Sequence, residues 1–307
     1  MSRKILIVGA TGMIGSHVAA DLLERGAEVT VQSRREPQPY DPAPVAGLPR
    51  IIGDYSADDF SPRLLEGFDA IVFAAGNDIR HVGADEEDEG FWDRMQSTGV
   101  PRFAALAKQA GVGRFVQIGS YYHQLHPEWA DRIPYVAARK NADERTRALT
   151  DDGFAAITLN PPSIVGASGG RALRHFGRMI AWLRGEADEP ELFAPVGGTN
   201  YMSVRSLSQA VQGALDAGTP GHAYLIGDEN LTYREYFQLL ADIADSTLTV
   251  EERDEEHPFQ PDRFIVQGRG AVISYEPDPA DVDQLGYDRD DVRRALAEIV
   301  ARVDARR

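Results

Sequence analysis

The sequence predicts an α/β protein built on a doubly wound parallel sheet, with a smaller C-terminal lobe. Three observations predict it. The chain opens on an apolar, strand-like run, Ile5-Leu6-Ile7-Val8. This leads directly into Gly9-Ala10-Thr11-Gly12-Met13-Ile14-Gly15 and then into a helical pattern, with Ile14, Val18 and Leu22 recurring every four residues up to Gly26. Strand-like and helical runs then alternate through the first two-thirds of the chain, as parallel strands joined by right-handed crossovers require. After residue 160 the alternation weakens and loop-forming residues multiply.

The glycine-rich turn lies between a buried strand and a helix, the context that makes a loose glycine pattern a dinucleotide site. Gly9 permits the tight turn, Gly12 leaves room for a pyrophosphate, and Gly15 lets helix and strand pack closely. The helix start at Thr11, Met13 and Ile14 offers backbone N–H groups and a partial positive charge to phosphates.

Strands are expected at 4–8, 28–32, 50–52, 69–74, 114–118 and 155–159, and helices at 14–25, 61–66, 91–110 and 134–150. Gln38–Pro49 is Pro-rich and reads as an irregular loop. Further on, Arg171–Arg184 reads as a basic helix, 203–217 as a helix, Ala223–Ile226 as a strand, and Thr232 as the cap of a helix reaching Ala244. Asp290–Val303 is amphipathic, with Val292, Leu296, Ile299 and Val303 on one face. Residues 1–170 are expected to form the dinucleotide-binding core. Residues 171–307 are expected to form mostly a substrate lobe, with some segments returning to the core.

Composition narrows the function. The 307 residues are 43% hydrophobic and include no cysteine, which excludes disulfides, thiolate catalysis and cysteine metal sites. A formal net charge of −16 argues against nucleic acid and anionic membranes as partners. Neither a signal-peptide pattern nor an apolar run of ~18 residues is present, so a cytoplasmic protein with a small-molecule substrate is expected. The acidic runs, including Asp85-Glu86-Glu87-Asp88-Glu89, read as solvated loops.

The second strand ends Val31-Gln32-Ser33-Arg34-Arg35, without the acidic residue that would bind an NAD ribose. Two arginines and a serine suit a 2′-phosphate, so NADP(H) is favoured over NAD(H). Asp54 of Gly53-Asp54-Tyr55 is placed either at the adenine amino group or in a turn cap. The small residues Ala74-Ala75-Gly76 let the backbone approach the cofactor. Ser120 follows the strand Phe115–Ile118, in the crevice where open α/β sheets bind ligands, and Tyr135 and Arg139 share a face of the next helix. Carbonyl reduction needs a proton donor, and a tyrosine serves when a nearby cation favours its phenolate. His123 and His126 resemble a metal pair but read as exposed loop histidines, and no metal is expected. Arg171, Arg174 and Arg178 read as a solvated helix face, and Tyr121, Tyr122, Trp129, Phe176, Trp182 and Tyr201 are candidate pocket walls.

Taken together, Gly9/Gly12/Gly15, Ala74-Ala75-Gly76, Ser120, Tyr135, Asn160–Gly166 and Leu285-Gly286-Tyr287 resemble the extended short-chain dehydrogenase/reductase family over residues 4–303. That family includes sugar-nucleotide epimerases, dihydroflavonol reductases and related ketone reductases. The resemblance implies a Rossmann-type fold and nicotinamide chemistry with Ser120, Tyr135 and a cation as the catalytic set. It also implies cofactor contacts from Pro161 and Ser163, and a homodimer paired through the helix bearing Tyr135 and the helix before it. The chain departs from the family pattern of Tyr, three residues, then Lys: Arg139 stands at the lysine position and Lys140 follows it. A helix bulge would present Lys140 instead. Gln96 stands where the family often has asparagine. Three functions fit: an NADP(H)-dependent reductase of a small ketone or aldehyde, an epimerase that recycles its cofactor, and a non-catalytic NADP(H) sensor.

Overall fold

Strand β1 (Lys4–Val8) has Ile5 through Val8 buried on both faces, which is the signature of a central strand in a parallel sheet. Around it the computed structural model, which describes residues 2–77, 79, 90–167, 170–187 and 193–306 with the side chains of 170–172 left aside, builds a seven-stranded sheet. Its strands are β1, β2 (Glu28–Ser33), β3 (Arg50–Ile52), β4 (Ala70–Phe73), β5 (Arg114–Ile118), β6 (Ala155–Asn160) and β10 (Ala223–Leu225). The order is β3-β2-β1-β4-β5-β6-β10 and every pairing is parallel. The sheet therefore reverses its winding between β1 and β4, and an open sheet of this kind binds ligands at the carboxyl ends of the strands flanking that point.

The crossovers carry α1 (Met13–Glu24), the short α2 (Ala43–Ala46) and α3 (Pro62–Leu65), α4 (Gly90–Trp92), α5 (Gly99–Gln109), the short α6 (Tyr122–Leu125) and α7 (Pro134–Arg147). The helix expected at 91–110 is interrupted: Asp93–Ser97 forms a π turn, closed by Thr98 N–H donating to the Asp93 carbonyl. Two residues account for the break. A side chain on Gly99 would collide with the Arg94 carbonyl. Pro101 brings no N–H for the Ser97 carbonyl, which accepts from Arg145 of α7 at 3.1 Å instead. Phe73, Phe103, Phe115 and Phe154 fill the core between the sheet and α5 and α7.

The chain divides into two units. The first runs to Pro161 and takes back Leu207–Ile226 and Asp278–Tyr287, which include most of α9 (Val204–Ala217), β10 and α11 (Pro279–Leu285). The second comprises Pro162–Ser206, Gly227–Pro277 and the C-terminal segment from Asp288, so the division falls at Pro161–Pro162 rather than at residue 170. It holds β7 (Ser163–Val165), α8 (Gly170–Leu183), β8 (Phe193–Pro195), β9 (Gly198–Ser203), β11 (Glu229–Thr232), α10 (Tyr233–Ile243), β12 (Glu251–Arg253) and α12 (Val292–Asp304). Thr232 caps α10 as expected, in a capping box with Glu235. Small sheets β11-β9-β7 and β12-β8 pack with these helices around Trp182, Tyr233, Phe237 and Leu296. The acidic run at residues 85–89 lies outside the described residues, as does the Arg171 side chain.

Candidate active site

The turn after β1 is shaped by its own backbone. Gly9 has φ +82°, and a Cβ there would lie 2.7 Å from the backbone of Ala75 at the end of β4. A Cβ on Gly15 would lie 2.5 Å from the Gly9 carbonyl oxygen. Gly9 and Gly15 are thus required for strand, turn and helix to close on one another. Gly12 is exposed, with Thr11, Met13 and Ile14 half-buried around it. It caps α1 without any side-chain hydrogen bond, leaving the first-turn N–H groups to a ligand. This cradle fits a dinucleotide pyrophosphate at the sheet's switch point.

Beyond β2 the residues separate by role. The Ser33 hydroxyl donates to the Arg35 carbonyl at 2.6 Å and accepts from Arg50 at 3.2 Å, so its single proton is committed inside the protein. Ser33 therefore ties the loop after β2 together. The loop is pinned further by a buried ion pair between Arg50 and Asp41 at 2.9 Å. Arg34 and Arg35 are exposed, with the Arg35 guanidinium 5.0 Å from the centre of the Tyr40 ring. Asp54 Oδ1 accepts from the Ser56 N–H and hydroxyl at 2.9 and 2.6 Å, the turn-capping role that was one of its two readings. Tyr55 is buried, and its hydroxyl donates to the Met95 carbonyl at 2.9 Å and accepts from Asn77 at 2.9 Å. Burial raises its pKa above the ordinary tyrosine value.

Tyr135 and Arg139 come together as a pair. Helix α7 is regular throughout, so the two lie one turn apart on one face, with Arg139 Nε 3.4 Å from Tyr135 Oη and the guanidinium carbon 5.4 Å from the ring centre. Arg139 is buried, and a side chain on Gly76 would approach its Nη2 to 3.0 Å. Gly76 thus makes room for the guanidinium at the end of β4. Lys140 sits one position round the helix and is half-buried, and no bulge turns it inward. The π turn lies instead on the segment carrying Gln96, whose buried Nε2 finds no partner among the described residues.

Ser120 is buried at the end of β5, and its N–H donates to Asn160 Oδ1 at 2.9 Å. Asn160 Nδ2 donates to Gln124 at 2.8 Å and to Asp143 of α7 at 3.3 Å. His123 is not an exposed loop histidine: it is buried, 2.8 Å from Asp143 through Nε2. His126 is partly exposed and stacks on Trp129 at 4.2 Å. Burial disfavours the Asp143 carboxylate, but hydrogen bonds from His123 and Arg147 outweigh it and hold its pKa down at about 2. This network fixes the loop after Ser120 to the helix that carries Tyr135. No local pattern in the sequence signals a buried partner for Asp143.

The Tyr135 ring lies 5.1 Å from Trp92 and 6.2 Å from Tyr122, and Tyr122 lies 4.2 Å from Tyr121 and 6.1 Å from Trp129. Trp92 was not foreseen, since nothing in the helical pattern of 91–110 places it beside Tyr135. Of the other expected walls, Trp182 and Tyr201 are core residues of the second unit and Phe176 packs against that core. Arg174 and Arg178 are exposed. The Pro161 carbonyl accepts from the Tyr121 N–H at 3.3 Å, while Ser163 belongs to β7 and pairs with Tyr201 of β9.

A doubly wound sheet with a glycine cradle at its switch point, a serine at a neighbouring strand end and a tyrosine–cation pair on the next helix define a nicotinamide-dependent oxidoreductase. Residues 5–227 match the NAD dependent epimerase/dehydratase family, and the chain belongs to that family, within the extended short-chain dehydrogenases/reductases. It is an NAD(P)-dependent enzyme, which sets the sensor reading aside. It is 28% identical over 261 residues to sterol demethylase protein B of Methylococcus capsulatus, covering 78% of this chain and 74% of that one. It is 26% identical over 314 residues to a dTDP-4-dehydro-6-deoxy-D-allose reductase of a Streptomyces species, covering 90% and 92%. Its fold is similar to the UDP-glucose 4-epimerase of Bifidobacterium longum, whose structure contains NAD+ and UDP, with TM-score 0.74, 15% identity and coverage of 99% and 98%. No helix among the described residues is long and apolar enough to cross a membrane.

Proposed function

We propose that the enzyme moves a hydride between NADP(H) and a small carbonyl compound or the corresponding alcohol, with Tyr135 as the proton donor and acceptor. The observation that carries this reading is the Arg139 guanidinium against the Tyr135 hydroxyl at 3.4 Å, beside the end of β4. The turn from Gly9 to Gly15 would hold the pyrophosphate, Ala74, Ala75 and Gly76 would flank the cofactor, and Asp54 Oδ2 would face the adenine amino group. Arg34, with Arg35, would meet the 2′-phosphate, which favours NADP(H). When bound, the cofactor supplies the hydride to the carbonyl carbon or takes it back.

The protein's own part is proton and charge management. As the carbonyl opens to an alcohol, Tyr135 Oη gives its proton to the oxygen and later recovers one from solvent. Arg139 stabilises the phenolate left behind. Its charge is permanent, so it relays no proton. Ser120 holds the substrate oxygen. The enzyme is expected to act in the cytoplasm as a homodimer joined through α5 and α7, which light scattering would test.

A second reading, a sugar-nucleotide epimerase that keeps its cofactor through the cycle, is favoured by the family description. Absorbance of the purified protein in the reduced-nicotinamide band separates the two. A reductase leaves the column essentially free of cofactor and oxidises added NADPH with a carbonyl panel. An epimerase carries nucleotide and shows no net oxidation, which would overturn the first reading.

A further inference from the structure

We infer that the carbonyl substrate is a flat, apolar ring ketone, such as an aryl or fused carbocyclic ketone, held between Trp92 and Tyr122 beside the Tyr135 hydroxyl. This rests on the reading of Tyr135 as the proton donor. A group that donates a proton must come within about 3 Å of the oxygen that receives it, so the body of the substrate lies against whatever flanks the Tyr135 ring. Among the described residues those flanks are aromatic. Trp92 meets the ring nearly edge-on at 5.1 Å and 63°, and Tyr122 meets it at 6.2 Å and 73°. Both are half-buried, so each keeps surface open beside a buried phenol. Among the described residues, Tyr135 Oη accepts from Arg139 Nε at 3.4 Å.

Such a lining rewards apolar area and ring stacking, and it penalises hydroxyls taken out of water without partners. A hexose brings several hydroxyls to this position. Apart from Tyr135 itself, the flanking rings offer it one indole N–H and one phenol. The aromatic run continues from Tyr122 to Tyr121 at 4.2 Å and to Trp129 at 6.1 Å; both are buried, so they back the Tyr122 ring and hold it in place. Two half-buried aromatic rings held in this way suit a flat ring better than a short aliphatic ketone.

Calorimetric titration of the enzyme with 2-tetralone, acetone and UDP-glucose, in the presence of NADP+, tests the inference without requiring turnover. The expected result is tightest binding by 2-tetralone, weakened roughly tenfold or more by Trp92→Leu and by Tyr122→Leu, and unchanged by Tyr122→Phe, which keeps the ring. Circular dichroism confirms that each variant is folded, and Tyr122→Phe answers for the Tyr122 site if a leucine variant is not. Tighter binding of UDP-glucose, or 2-tetralone binding indifferent to both leucine variants, overturns the inference. The two readings fail separately. Ring-dependent binding without any NADPH oxidation would remove the redox role of Tyr135 and leave the aromatic site. Oxidation of NADPH by sugar-nucleotide ketones alone would do the reverse.

Discussion

Substituting phenylalanine for His257 tests whether the core of the second unit carries a buried neutral base. His257 is fully buried among Trp182, Phe193, Phe237 and Phe259, at ring-centre distances of 4.7 to 5.9 Å. Its Nδ1 accepts the Phe259 N–H at 3.2 Å. Burial is the main cause that pulls its pKa down to about 4 from its ordinary value of 6.5. The sign follows from linkage. Between pH 6.5 and 4 the unfolded chain holds a proton on this ring that the folded chain lacks, so stability is full above the upper value and falls as the pH drops. The whole loss is about 3 kcal/mol, and about 1.4 kcal/mol of it appears between about pH 8 and about pH 5.5. Stopping there keeps the protein above its isoelectric point near 4.9. Urea denaturation of parent and His257→Phe at these two values isolates the term, because the other titrating groups are common to both. The parent should lose about 1.4 kcal/mol more than the variant on acidification. Parallel pH dependence in the two proteins would refute the reasoning.

Three further outcomes are expected. Arg34→Ala should weaken NADPH binding roughly 10- to 100-fold while leaving NADH binding nearly unchanged, measured by fluorescence titration, since one charge-assisted phosphate contact is removed. Asp143→Ala should lower stability by about 3 kcal/mol in urea unfolding at neutral pH, because it leaves the buried His123 and the partly buried Arg147 without their shared carboxylate. Gly15→Ala should cost about 1 to 3 kcal/mol and reduce cofactor affinity, since the new methyl meets the Gly9 carbonyl and Ala10 Cα rather than a movable side chain.

The first unit was legible because its chemistry and its periodicity agree. Ile5–Val8 reads as a buried strand, the glycines after it read as a cradle, and the spacing from Tyr135 to Arg139 is one helical turn. Where the sequence misled, a local substitution for ordinary geometry was at work. The π turn at Asp93–Ser97 breaks a pattern that looks continuously helical, although Gly99 and Pro101 carried the signal. The second unit was harder for a different reason. β9 is buried throughout yet polar, with Asn200 accepting from the Asp228 N–H and donating to Asn230, so no apolar alternation marks it. The hydrogen bonds of Ser33 and Tyr55 were not legible because a hydroxyl's partner depends on residues distant in sequence, here Arg50 and Met95.

Single-turnover oxidation of bound NADPH by Tyr135→Phe, with cofactor affinity measured in parallel, addresses the proton-donor role most directly. Loss of turnover by roughly 100-fold or more with an unchanged NADPH dissociation constant is expected, since general acid catalysis contributes on that order. Turnover retained within a few-fold would mean that another group protonates the substrate and that the Tyr135–Arg139 pair is only part of the packing.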